Sequence, residues 1–306
     1  MTLLSLRALQ HGSAVGWGLP SGWLGWLRAA RLLRHREALE ALLALDIVRG
    51  ALVEARGPTA LSFLANRHLL ARGLDLRQRL TCALYHYRYE QSRFAGSYVD
   101  AVYRADGLSL WRRQAEEHVY DIRLMVGNDN LYEGFLSAVA FIDGQRVCVI
   151  SFSYVDAALF GAPAGATLFV TRKQSGRHPE HLRAFARSFK HTSPPFLCFA
   201  AVAGVARAIG ASQIAAIRAR AHPHLSHADA EVLHKTYDEF WMDFGARELD
   251  EKTYRIAVPL EFGDPMQVSA AHRKRARRRR EDRQAVEESA CSAIREQLAA
   301  SSETAP

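Results

Sequence analysis

The run from Tyr120 to Ile217 constrains this chain more than any other part of it. Tyr120-Asp121-Ile122-Arg123-Leu124 alternates apolar and polar residues, the pattern of a half-buried strand. Asn128-Asp129-Asn130 is turn material. Leu136–Ile142 and Arg146–Ser153 flank Asp143-Gly144, a pair that accepts the positive φ a tight hairpin requires. Thr167–Thr171 is a further apolar strand and leads to a loop at Gln174-Ser175-Gly176. Glu180–Lys190 reads as helix, stopped at Ser193-Pro194-Pro195 because proline has no N–H to give. Phe196–Ile209 is almost wholly apolar and ends at Gly210, as a buried helix would, and Gln213–Ile217 returns as a strand. Such an order asks for an α+β fold, a mainly antiparallel sheet with helices laid on it.

Residues 1–100 read as a helical N-terminal region. Ser21 to about Val53 is amphipathic, with Leu24, Leu27 and Ala30 on one side and Arg28, Arg31 and Arg34 on the other. A second helix is expected over Pro58–Arg72 with Gly73 as its stop, and a third from the N-cap Asp75 to about Phe94. Residues 101–268 form the α+β core, which includes a helix over Ala228–Phe244 and a last strand over Tyr254–Leu260. Residues 269–306 read as a basic, charged tail, either an exposed helix or disordered.

Charge is concentrated in that tail. Of the net +8 of the 306-residue chain, the segment Arg273–Arg283 carries +6, so the remainder is nearly neutral. The run lacks the interleaved aromatics that stack bases, so any nucleic-acid binding through it would be nonspecific. Cys82, Cys148, Cys198 and Cys291 are scattered without a CxxC pair and read as small hydrophobes in a reducing compartment. Met1–Leu9 has neither a preceding basic segment nor a small-residue cleavage site, so no signal peptide is expected. No apolar run approaches the roughly 18 residues of a membrane span. A cytoplasmic location is the expectation, with peripheral contact at the inner membrane as a variant. Trp17, Trp23 and Trp26, together with Arg273–Arg280, are the residues that would meet an anionic surface.

A strand that ends at a glycine turn and opens a helix presents free N–H groups to an anion. Here those residues are Arg172, Lys173, Gln174, Gly176 and Arg177, whose cations suit a phosphate; the competing reading is a solvated basic turn. His222, His224, His227 and His234 form the densest histidine cluster, but no cysteine accompanies them and no metal site is expected. His118, Asp121 and Glu133 are general acid–base candidates near the sheet, with nothing in their spacing to rank them. Ser151 and Ser153 lack the glycines of a nucleophile elbow, which argues against a serine hydrolase. No catalytic residue is assigned.

The element order resembles the core of the GCN-related (GNAT-like) N-acyltransferases. That resemblance implies an acyl-CoA donor with its pyrophosphate on Arg172-Lys173-Gln174-Ser175-Gly176-Arg177, although only one of the glycines of that family's loop is present. More of the chain is similar to the VirK/YbjX family of bacterial proteins. The residues that carry this are Phe63-Leu64 through Arg67-His68-Leu69-Leu70, Gln78-Arg79-Leu80, His86-Tyr87-Arg88, Gly107-Leu108-Ser109-Leu110-Trp111 and Tyr120-Asp121-Ile122-Arg123-Leu124. Phe141-Ile142-Asp143-Gly144-Gln145, Ser151-Phe152-Ser153, Leu168–Gln174, Tyr237-Asp238-Glu239-Phe240-Trp241 and the Arg273–Arg280 run extend the match. The family shows a Gln-Gly pair where Ser175 separates Gln174 from Gly176 here. The resemblance implies an accessory role in virulence, the cell envelope or the placement of surface proteins, with no catalytic residues to carry over. Acyl transfer is the leading mechanism. The alternatives are a non-enzymatic membrane adaptor with an envelope-associated protein as partner, or a nonspecific nucleic-acid binder that uses the Arg-rich tail.

Overall fold

A computed structural model describes residues 34–56, 61–127, 133–176, 178–225, 230–261 and 270–299. Its centre is an eight-stranded sheet. The strands are β1 (Leu108–Ala115), β2 (His118–Val126), β3 (Leu136–Ile142), β4 (Gln145–Asp156), β5 (Ala166–Ser175), β6 (Gln213–Ile217), β7 (Arg247–Glu248) and β8 (Thr253–Ala257). Their spatial order is β1-β2-β3-β4-β5-β6-β8-β7. Every neighbouring pair is antiparallel except β5 and β6. That parallel pair requires a crossover, supplied by α3 (Pro179–Ser188) and α4 (Pro194–Ala208), numbered after α1 (Arg36–Leu43) and α2 (Leu76–Arg93). The α+β class and the mainly antiparallel sheet are therefore as the sequence implies.

Local chemistry accounts for most element ends. The Asp75 carboxylate accepts from the Gln78 amide at 2.8 Å while Gln78 Oε1 accepts from the Asp75 amide at 2.9 Å, a capping box that starts α2 at its expected place. Asp143 and Gly144 take φ of 51° and 78° and close the β3–β4 hairpin. The helix expected over Pro58–Arg72 does not form in the described part of that range. A single 3₁₀ turn, Ser62–Ala65, stands there instead. Asn66 is extended and its side chain accepts from the His68 amide at 2.9 Å, a local bond that competes with helix continuation. β1 has no counterpart among the expected strands. It is an edge strand whose Arg112, Arg113 and Gln114 face water, so its alternation is weak.

Central strands are buried on both faces. β4 is buried from Val147 through Val155 because α2 and α4 both lie against it. A single apolar cluster runs from Leu39 in α1 to Ile294, so the helices before β1, the sheet and the last helix share one core. All four cysteines are buried within the fold; Cys198 Sγ donates to the Ala138 carbonyl and desolvation lifts the Cys82 thiol to about 12.

The expected tail is one helix, α5 (Ala270–Arg295), with two different halves. Residues 272–275 and 277–279 are exposed, which leaves the arginine run standing in solvent. Beyond it Val286, Ala290, Cys291 and Ile294 are core residues packed on α4 and β1. Arg283 marks the change, its guanidinium 4.3 Å from the Phe196 ring centre and 5.1 Å from that of Phe244. Burial there pushes its pKa down to about 10. After α5 the chain is fastened back to the end of α2: Ala95 donates to Gln297 and Ala299 donates to Arg93, each at 2.9 Å. Trp17, Trp23, Trp26 and the Asn128-Asp129-Asn130 turn lie outside the described residues.

Candidate functional site

β5 and β6 stay paired for only three positions, Leu168↔Ile214 to Val170↔Ala216. β5 then continues to Ser175, whereas β6 ends at Ile217 and the chain turns away through Ala219–Ala221. A wedge opens between the strands, and side chains from four segments fill it.

Glu133 is the centre of this wedge. It precedes β3 and is held by the bond from Thr171 Oγ1 to the Glu133 carbonyl at 2.5 Å. The following Gly134 has φ of 135°, and a Cβ there would sit 2.8 Å from the Phe152 amide nitrogen, so only glycine lets this segment reach β4. The Glu133 carboxylate is buried and meets Arg172 Nε at 3.4 Å and His224 Nε2 at 3.3 Å. Burial drives its pKa up, but the His224 hydrogen bond and the charges of Arg172, His224 and His222 outweigh that, and the net shift is downward. His224 is raised above its ordinary 6.5, chiefly by the bond to Glu133. Its side chain is 57% exposed against 5% for Glu133, so the pair places a carboxylate inside and an imidazole at the surface.

Behind them sits a second pair. His222 Nδ1 accepts from the His224 amide at 3.2 Å, which puts the ring proton on Nε2, 2.8 Å from the Tyr237 hydroxyl. Desolvation lowers the His222 pKa to about 4, so the ring is neutral near pH 7. Tyr237 also accepts from the Lys173 amide at 3.2 Å, on the edge of β5 that β6 has left. With two N–H groups donating to the phenolic oxygen, the Tyr237 proton is available for a third partner. Burial raises the Tyr237 pKa, so it stays protonated.

The residues expected at a phosphate loop are placed as follows. The strand persists to Ser175, so pleating sends alternate side chains to opposite faces. Arg172 and Gln174 bond to one another on the Glu133 side. Lys173 points the other way, its Nζ 3.1 Å from the Thr236 carbonyl and 4.5 Å from the centre of the Phe240 ring. Gly176 lies just before the His178 N-cap of α3, but its amide donates to the Val147 carbonyl at 2.7 Å, and a Cβ would approach the Arg146 carbonyl to 2.9 Å. Its absent side chain permits close contact with β4. Arg177 lies outside the described residues, as does His227.

Of the acid–base candidates, the wedge gathers Glu133 alone. His118 pairs with Asp143 at 2.7 Å at the hairpin end, and Asp121 holds Arg123 and Ser109 on the outer strands. Ser137 and Ser151 bond to each other in the core at 2.8 Å. His222 and His224 join Glu133, while His234 instead caps Asp238 at 2.9 Å. Tyr237 carried no signal in the sequence except its place in the Tyr237-Asp238-Glu239-Phe240-Trp241 motif.

One family matches most of the chain: the one described as "Protein of unknown function (DUF535)", over residues 29–290. The chain belongs to the DUF535 family. It is the family to which the VirK/YbjX likeness refers. Its matched span takes in α1 and α2, the whole sheet, the wedge residues and all but the last five residues of α5. No curated protein and no solved structure matches this DUF535 chain. No described helix is long and apolar enough to cross a membrane.

Proposed function

We propose that the chain is an acyltransferase acting in support of the bacterial envelope, with its reaction centre in the wedge between β5 and β6. The observation that carries the reading is the buried Glu133 carboxylate bonded to a surface-facing His224, with the Tyr237 hydroxyl oxygen 2.8 Å from His222 Nε2 and accepting from the Lys173 amide. In this reading His224, oriented through Nε2 by Glu133, takes the proton of an acceptor amine or hydroxyl at Nδ1. The acceptor oxygen or nitrogen attacks the thioester carbonyl of an acyl-CoA. The carbon–sulfur bond then breaks, and Tyr237 protonates the departing thiolate. Arg172 and Gln174 flank the centre and Lys173 its rear. Because the Gly176 amide is already bonded to β4 and Glu180 already sits in the first turn of α3, the loop amides contribute little to this donor site. The envelope role rests on the VirK/YbjX resemblance.

Release of coenzyme A thiol from short and long acyl-CoA thioesters, with and without amine acceptors, tests this reading. His224→Ala and Tyr237→Phe are each expected to lower the rate by about 10²–10⁴-fold, the usual contribution of a positioned acid or base. A base must be neutral to act, and Glu133 raises the His224 pKa above 6.5, so kcat/KM should climb with pH through a limb above 6.5. Glu133→Gln should move that limb to lower pH. Absence of both thiol release and acyl-CoA binding from the folded chain would sink the proposal.

A second reading is supported by the exposed half of α5. Arg273, Lys274, Arg275, Arg277, Arg278 and Arg279 are all exposed on a helix whose other half is anchored in the core. Such an arm fits an adaptor on an anionic membrane, each basic residue near the surface contributing on the order of 1 kcal/mol. Replacing Arg277, Arg278 and Arg279 with glutamate should abolish sedimentation with phosphatidylserine vesicles, and wild-type binding should weaken as salt rises. Equal sedimentation of the two proteins would remove the arm from that role. A nonspecific nucleic-acid binder would show the same salt trend with DNA in place of vesicles.

A further inference from the structure

The first turn of α3 brings together three groups that the wedge does not use. His178 is the residue before the helix, Pro179 fixes the first helical position, and Glu180 and His181 follow. One ligand atom from each of His178, Glu180 and His181 lies within 4.8 Å of the other two. His181 Nδ1 is 2.9 Å from Glu180 Oε1, and the two imidazoles meet edge to face with centres 5.9 Å apart. Glu180 is 60% exposed and His181 20%, so the cluster opens to solvent on the carboxylate side and rests against the protein on the imidazole side.

We propose that His178, Glu180 and His181 form a binding site for a divalent transition-metal ion of the zinc class. Two imidazoles and one carboxylate match the donor set that zinc and its neighbours prefer, and they differ from the all-oxygen sets that hold magnesium or calcium. Neighbouring donors around zinc stand roughly 3.3–3.5 Å apart at bond lengths of about 2.0–2.2 Å, so side-chain rotation of an ångström or so closes the cluster onto an ion. Three protein ligands leave the remaining positions to water or to a ligand from outside. The positive end of the α3 dipole opposes a cation here, and the Glu180 charge offsets it locally. The sequence holds this signal as His178-x-x-His181 with an intervening glutamate, overshadowed by the denser histidines at 222–234.

The test is titration of metal-stripped full-length protein with zinc chloride by calorimetry, and with cobalt chloride by visible absorption. Wild type should bind one zinc with micromolar affinity, show the d–d bands of a low-coordinate cobalt site, and melt at a higher temperature when zinc is present. The His178→Ala/His181→Ala double variant should bind at least about tenfold more weakly, since even outer partners of a metal site act on that scale. Glu180→Gln should weaken binding in the same direction. A His224→Ala/His234→Ala variant, which leaves α3 untouched, should bind as wild type does. Wild-type affinity in the α3 double variant, loss of binding in the His224/His234 variant alone, or no binding by the folded wild type would each overturn the assignment.

Discussion

Replacing Glu90 with alanine is expected to cost the fold about 3–5 kcal/mol, the scale on which removal of one partner of a buried charged network acts. Glu90 lies in α2 with no exposed surface. Its two oxygens accept from the Tyr98 and Tyr103 hydroxyls, each at 2.6 Å. His86 Nε2 is 3.0 Å from Oε2 but is poorly aligned as a hydrogen bond. His86 in turn accepts from the Tyr154 amide at 3.1 Å, so the cluster ties α2 to β4. Desolvation and the Glu90 charge raise the Tyr98 and Tyr103 pKa values well above the ordinary range, which keeps both hydroxyls as donors. Alanine would leave these donors facing one another in a dry core and add a cavity. Chemical denaturation of Glu90→Ala beside Tyr98→Phe checks this, because the tyrosine variant loses one donor and leaves the carboxylate a remaining partner. The expected ordering is a loss of about 1 kcal/mol for Tyr98→Phe and several for Glu90→Ala. Equal, small losses would mean that water reaches the cluster.

Gly204→Ala should destabilise the protein by about 2 kcal/mol or more, against the local preference of a helix for alanine. Gly204 sits where α4 crosses α5. An added Cβ would lie 2.3 Å from the Glu287 carbonyl oxygen, 2.8 Å from the Ala290 Cβ and 3.0 Å from the Cys291 amide nitrogen. Two of these neighbours are backbone atoms of a helix and cannot swing aside, so α5 must move as a body. In an uncrowded helix the same change would be favourable by roughly 1 kcal/mol, so the sign of the effect decides between crowding and propensity. A thermal melt several degrees below wild type is the expected result. A melt at or above the wild-type temperature would show that α4 and α5 are not packed this closely.

Features fixed by neighbours in sequence are the ones that could be read beforehand. The Asp75 cap and the Asp143-Gly144 turn each depend on a few adjacent residues, and both stand where they are expected, whereas α3 ends at Ser188 and Pro194 and Pro195, expected to stop it, open α4 instead. β6 has the expected bounds, Gln213–Ile217, because a buried apolar run between two turns has little freedom. β1 escaped notice because an edge strand answers to one partner only, and its outer residues are charged. The mixed character of α5 was hidden by its arginines, which mask the four-residue spacing of Val286, Ala290 and Ile294. The site was less legible still. Arg172 and Lys173 are neighbours in sequence and read as one basic cluster, yet the pleat of a strand that runs to Ser175 separates them. Glu133 and His224 meet only because the β5–β6 crossover brings segments 91 positions apart to the same wedge.

The fastening of the segment after α5 to the end of α2 also sets the order in which this chain matures. Until residues 283–299 have been made, β1 has no helix over it, α4 lacks its partner, and Ala95 and Arg93 have no strand-like neighbour. At a synthesis rate of about 5–20 residues per second, β1 emerges on the order of ten seconds before the helix that covers it. During that interval β1, and α4 once it is made, show water the apolar surface that α5 later covers, and the chain's passage through the cell depends on whatever shields that surface until α5 arrives.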